Sequence, residues 1–135
     1  MNYIYKYQIH FDECDPAGIL FFANTWDICH RAYESFLLSL NSDWSFWFQN
    51  PEWIIPIISS KCDFQRPLLP GSNIELHLKI TNLGNSSFTS LYQLKINELL
   101  YSECSIVHVF TDKKTFKKIP IPKEIRDLFS PFANN

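Results

Sequence analysis

The chain has 135 residues, a formal net charge of −2 and only three glycines, against 16% aromatic residues. That length suits one domain over 1–135, with a core large enough to need no staples. The charge argues against a nucleic-acid binder that works by neutralising phosphates, and no apolar run approaches the ~20 residues of a membrane span. Twelve Phe, six Tyr and four Trp exceed what one small core usually takes, so some are expected in a pocket or a subunit interface. Cys14, Cys29, Cys62 and Cys104 lie far apart with no C-x-x-C pair, so zinc is not expected. Without a signal peptide they read as free thiols in a reducing, cytoplasmic setting.

Tyr3 to Phe11 alternates with period two, the pattern of a half-buried strand, and Asp15-Pro16-Ala17-Gly18 ends it in a turn. From Asn24 the period changes. Trp26, Cys29, Tyr33, Phe36, Leu37 and Leu40 recur at three- and four-residue steps, which predicts a helix capped by Asn24, with Asp27 at N3 and a stop at Asn41. At ~1.5 Å per residue it is roughly 25 Å long, enough to cross a sheet. Asp43 to Gln49 reads as a helical turn, and Trp53 to Phe64 as one extended segment with Pro56 near its start. Ile74 to Ile80 is the clearest one-sided strand. Gly84-Asn85 signals a hairpin, Phe88 to Ile96 the next strand, Asn97-Glu98 a tight turn, and Leu100 to Phe110 the last strand. A lysine-rich tail then leads to a helical turn over Glu124 to Phe129. Hairpin-linked strands and one amphipathic helix predict an antiparallel sheet with the helix across its face.

Asp15 stands out chemically. It precedes Pro16 and Gly18 on the apolar approach to a helix N-terminus, where free backbone N–H groups can hold an oxyanion. On spacing alone it reads first as a residue capping its own turn, and second as a general base or nucleophile in acyl chemistry. Asp12, Glu13 and Asp15 have no completing ligand set nearby, so they read as a polar strand end rather than a metal site. Cys29 falls on the apolar stripe and reads as packing. His30 and Glu34, one turn apart, read as a solvated or interface pair, or as partners of substrate hydroxyls. No Gly-x-Ser-x-Gly elbow is present.

Cys14-Asp15-Pro16-Ala17-Gly18-Ile19, the pair Phe21-Phe22, Asn24 and the helix behind them resemble the active-site signature of the 4-hydroxybenzoyl-CoA thioesterase family, which has the hotdog fold. Arg66-Pro67, Pro70-Gly71, Asp112 and Pro120-Ile121-Pro122 fall where such proteins carry a strand end and a tail. The resemblance implies an α+β hotdog domain, a five-stranded antiparallel sheet wrapped around the Asn24–Leu40 helix. It implies that Asp15 is the catalytic carboxylate and that the Phe22 N–H polarises a thioester carbonyl. Gly18, His30 and Arg66 are the candidates for substrate contact, Arg66 and the Lys113 to Lys118 group for coenzyme A phosphates. Homodimers, paired into tetramers with sites at the interface, are implied, with an acyl-CoA substrate, no metal and no cofactor beyond the coenzyme A it carries. Trp26 to Glu34, following Phe21-Phe22-Ala23-Asn24, is similar to a narrower group, the 1,4-dihydroxy-2-naphthoyl-CoA hydrolases of cyanobacterial phylloquinone synthesis. A thioesterase for hydroxybenzoyl or short-chain acyl groups, and a non-catalytic acyl-CoA-binding hotdog protein, are the alternatives.

Overall fold

A computed structural model describes residues 1–133. Five strands form the main sheet: β1 (Tyr3–Gln8), β3 (Ile57–Phe64), β4 (Asn73–Leu83), β5 (Ser87–Ile96) and β6 (Leu99–Val109). They run antiparallel in the order β1-β4-β5-β6-β3. The period-two sequence pattern becomes two faces. Ile74, Leu76, Leu78 and Ile80 of β4, and Phe88, Ser90, Tyr92 and Leu94 of β5, are buried on the inner face. Glu75, His77 and Lys79 point the other way and stay half-exposed.

Helix α1 (Phe22–Leu40) lies across the inner face and buries Ile28, Cys29, Ala32, Tyr33, Phe36 and Leu37 at steps of one, three and four. This is the apolar stripe read from the sequence, pressed against the alternate residues of the strands. The arrangement is the hotdog fold. The helix ends as expected at Asn41, whose N–H donates to the Leu37 carbonyl (3.0 Å). Its start is corrected from Asn24 to Phe22. Asn24 does not cap; its amide instead donates to the Glu13 carbonyl (2.8 Å), and its own N–H donates to Phe21. Asp27 therefore lies beyond the first turn, which contains no acidic residue.

Two further corrections follow from backbone chemistry. The segment from Trp53 to Phe64 divides at Pro56, which has no N–H to give a ladder. β2 (Trp53–Ile54) pairs with β7 (Thr111–Asp112) in a small second sheet, and only β3 joins the main one. The four cysteines are not all free. Cys62 and Cys104 sit directly opposite on β3 and β6 and are joined as a disulfide, while Cys14 and Cys29 remain thiols. A partnership across 42 residues leaves no mark on local spacing.

The aromatic surplus goes largely inward. Helices α2 (Trp44–Phe48) and α3 (Lys123–Phe129) close the end of the sheet. Between them Trp47, Trp53, Phe88, Phe110 and Phe129 are buried, with Phe129 within 4.9 Å of Phe88 and 5.8 Å of Phe36, centroid to centroid. The sequence expectation that aromatics exceed the core's needs underrated this second cluster. The turn Asn97-Glu98 is present with φ of 49° and 68°, the positive pair that a two-residue hairpin with right-handed twist requires.

Candidate active site

Between β1 and α1 the chain makes a short 3-10 turn (Phe11–Glu13) and then the Asp15 turn. Glu13 anchors this passage. Its carboxylate accepts from the Tyr7 hydroxyl (2.8 Å) and the His10 N–H (2.7 Å), and its carbonyl accepts from Phe21 N–H (3.0 Å) and the Asn24 amide. Burial, then the bond to Glu13, pushes the Tyr7 hydroxyl up to about 12, so it stays a donor at neutral pH. The acidic cluster thus serves in part to fix the loop. Among the described residues no group of three or more metal-ligating side chains converges.

Residues 15–18 form a turn closed by Gly18 N–H to the Asp15 carbonyl (2.9 Å), and the Asp15 N–H donates to Ile19 (2.9 Å). Gly18 holds φ of +79°, a left-handed conformation that a Cβ would strain. One Asp15 oxygen accepts the Ala17 N–H (2.9 Å), which is the turn-capping role read from spacing. That bond holds one oxygen, and among the described residues the other has no hydrogen-bond partner. Capping and chemistry are therefore compatible here.

Asp15 lines an open cavity of about 410 Å³. Phe22 lines it from the helix, Phe64 and Arg66 from the end of β3, and Ser102 from β6. No side chain caps α1, and its first turn has no acid to compete for the positive end of the dipole. As the first helical residue, Phe22 has no acceptor for its N–H within the helix. Asp15 and the first residue of a helix without a side-chain cap thus line one cavity, an arrangement suited to attack on a carbonyl whose oxygen becomes an anion. The structure brings Asp15, Phe22 and Arg66 together. Gly18 shapes the turn but does not line that cavity.

His30 is not at this cavity. It lines a neighbouring groove of about 350 Å³ with Trp26, Ile57, Ser60 and Ile106. The sheet register relates the two. Phe64 opposes Ser102, Cys62 opposes Cys104, and Ser60 opposes Ile106, so the cavity and the groove lie two steps apart along one β3–β6 surface. No hydrogen bond joins His30 to Glu34; His30 instead sits 5.6 Å from the Tyr33 ring. The lysines of residues 113–118 line none of the Asp15 cavity.

Three features were missed in the sequence. The uncapped helix end was hidden by Asn24, a residue type that usually caps. Ser102 and Phe64 reach the cavity through strand pairing alone. The third feature is a buried polar set on the inner face. His108 is fully buried, its Nε2 3.0 Å from Ser90 Oγ, and Ser90 donates to the Tyr92 hydroxyl (3.0 Å). Phe88 and Tyr33 sandwich the imidazole at 4.7 and 4.6 Å. The alternation of β6 shows that His108 faces inward, but not what it meets there. Burial, assisted by repulsion from His30, lowers the His108 pKa to about 3, so the ring is neutral. Cys29, pushed up to about 12 by burial, is a packed thiol as read from the stripe.

The chain matches the Thioesterase-like superfamily over residues 9–129 and belongs to it. It is 31% identical over 127 residues to the 1,4-dihydroxy-2-naphthoyl-CoA hydrolase of Synechococcus elongatus, covering 93% of each chain. It is 31% identical over 129 residues to the hydrolase of that name from Trichodesmium erythraeum, covering 93% of this chain and 94% of that one. Among solved structures, a 1,4-dihydroxy-2-naphthoyl-CoA thioesterase from Synechocystis aligns with a TM-score of 0.88 at 24% identity, covering 96% of each chain. A gentisyl-coenzyme A thioesterase aligns with a TM-score of 0.83 at 23% identity, covering 95% of this chain and 99% of that one. The structural likenesses establish the fold.

The buried imidazole generates a pH prediction. The unfolded chain protonates His108 near 6.5, whereas the folded chain does so only near 3. Between these values the unfolded state binds the extra proton. Stability from this group is therefore complete above about pH 6.5 and falls by roughly 1.4 kcal/mol per pH unit below it. Urea unfolding at several pH values should show this slope in the wild type and a shallower one in His108→Gln. Equal slopes in the two proteins would contradict the assignment.

Proposed function

We propose that this chain hydrolyses 1,4-dihydroxy-2-naphthoyl-CoA to 1,4-dihydroxy-2-naphthoate and CoA, a step of phylloquinone (vitamin K1) or menaquinone synthesis. Two observations carry the reading together. Asp15 shares a cavity with a helix N-terminus that no side chain caps, and the chain is 31% identical over 93% of its length to hydrolases of that name.

In this reading the thioester carbonyl points its oxygen at the Phe22 N–H. Asp15 either takes a proton from the attacking water or adds to the carbonyl itself. Charge collects on the oxygen in both cases, and the N–H and the helix dipole stabilise it. Collapse expels the CoA thiolate, a leaving group that needs little protonation. The naphthoyl rings extend along the β3–β6 surface into the groove of Trp26 and His30, where the imidazole meets a ring hydroxyl. Arg66, exposed at the rim, reaches the coenzyme A phosphates. The reaction calls for no metal and no cofactor beyond the coenzyme A of the substrate. Among the described residues no helix is long and apolar enough to cross a membrane.

The site would be completed by a second copy of the chain. β3 is an edge strand exposed along nearly its whole length, with Ile57, Ile58 and Phe64 exposed by 46%, 62% and 50%. An apolar open edge is an aggregation hazard unless another strand covers it. A homodimer joined edge to edge would cover β3 and roof the groove, and two such dimers would make the tetramer.

Asp15→Asn should lower kcat on 1,4-dihydroxy-2-naphthoyl-CoA by about 10²–10⁴-fold with little change in KM. Undiminished turnover by that variant would falsify the mechanism. Sedimentation of the wild type should give a dimer or a multiple of one. Ile58→Asp should shift it towards monomer and lower activity with it. A fully active wild-type monomer would rule the shared site out.

A further inference from the structure

We propose that the hairpin tip Lys113–Lys118 is a docking finger for an anionic lipid surface. Its sequence, Lys-Lys-Thr-Phe-Lys-Lys, places four of the chain's twelve basic residues in six positions of a protein whose net charge is −2. All six residues are exposed. Among the described residues none of the four ammonium groups takes part in an ion pair. Only Lys113 has a bond, to the Asn50 carbonyl (3.1 Å).

The tip is built rather than loose. Thr111 bridges Lys118 across the hairpin, and the Asp112 N–H donates to the Lys117 carbonyl (2.8 Å). The Asp112 carboxylate accepts the N–H groups of Lys114 (3.0 Å) and Thr115 (2.8 Å), and its carbonyl accepts that of Phe116 (2.9 Å). The one acid of the hairpin is thus spent on shaping it. At the apex Phe116 stands at φ of 59° and is 73% exposed.

Both facts about Phe116 are costly for the folded chain alone. A bulky L-residue is strained in the left-handed region, where Gly or Asn would be at ease. An exposed phenyl ring gains nothing from folding. Strain held in place by surrounding bonds points to a use outside the chain. The lysines supply attraction to negative headgroups, and the ring supplies an apolar anchor for the acyl boundary. Near an anionic surface each lysine contributes about 1 kcal/mol and the ring adds its buried apolar area, so the two add to a weak, reversible attachment. A free phosphate would use the lysines but not the ring. The finger also lies away from the Asp15 cavity: none of its residues lines that cavity, and Lys113 lines a different one with His30, Tyr33 and Leu37, about 12 Å or more along α1 from Phe22.

The test is sedimentation of the full chain with vesicles of phosphatidylcholine alone and of phosphatidylcholine mixed with phosphatidylglycerol. The wild type should bind only the anionic vesicles, and less as salt rises. Lys114→Gln, Lys117→Gln and Lys118→Gln combined should cut partitioning on the order of a hundredfold, at about one kcal/mol per lysine. Phe116→Gly should cut it about tenfold while raising the thermal midpoint, since it removes anchor and strain together. Turnover of a soluble acyl-CoA without vesicles should be unchanged in both variants. Failure of the wild type to bind anionic vesicles, or equal binding by the variants, overturns the proposal. So does tighter binding to a single-stranded oligonucleotide than to the vesicles at the same salt. A raised KM with vesicle binding intact would overturn it too, assigning the lysines to coenzyme A.

Discussion

The fold rests on the burial of one face of α1 across the inner face of the main sheet. Ile28, Cys29, Ala32, Phe36 and Leu37 are fully excluded from solvent against Leu76, Leu78, Tyr92 and Leu94. That contact fixes the rotation and placement of the helix on the sheet, because a shift of one residue would turn the stripe out of the sheet. It thereby fixes Phe22 at the rim. The Asp15 turn is tied to the same point, since Leu20 N–H donates to Leu68 (2.7 Å) and Phe21 N–H to Glu13 (3.0 Å). Carboxylate and helix end are therefore positioned by one packed core rather than by a free loop, which is what a reacting geometry requires.

Most departures from local satisfaction lie at the surfaces with proposed roles. The interior has alternating strands, a matched helix stripe and an aromatic cluster under α2 and α3, and among the described residues its departures are the Tyr33 hydroxyl and His108 Nδ1, buried with no hydrogen-bond partner. Outside it, α1 lacks a cap, β3 presents an apolar edge, and Phe116 is strained and exposed. Each costs stability that the chain could recover by substitution. Sequences tend to keep such inconsistencies where something else is gained. The disulfide and the neutral imidazole are different in kind, being consequences of register rather than of a site.

Much of the fold was legible because its signals are local. The 3.6-residue stripe of α1, the alternation of β4 and the turn residues at Gly84-Asn85 and Asn97-Glu98 each specify a structure within a few positions. What required the third dimension was partnership. Nothing near Pro56 says that Trp53 and Ile54 pair with Thr111 and Asp112, and nothing near Cys62 names Cys104. Asp15 could be singled out because it precedes Pro16 and Gly18 on the apolar approach to a helix N-terminus; its choice over the turn-capping reading, the commoner role of such an Asp, came from the resemblance. The start of α1 was misread for a physical reason: Asn24 has capping chemistry but spends it on the Glu13 carbonyl. His30 and Arg66 were grouped as substrate contacts, and the register separates them into the two ends of one surface.

The central claim is that the Asp15 cavity and the His30 groove together accept a hydroxylated bicyclic aromatic thioester. Its most direct test is kcat/KM of the purified chain on 1,4-dihydroxy-2-naphthoyl-CoA, 4-hydroxybenzoyl-CoA and a short-chain acyl-CoA under one condition. The account predicts the naphthoyl substrate to lead by about tenfold or more, since the second ring is buried only in the groove. Preference for the short-chain substrate, or tight binding of all three without turnover, would contradict it.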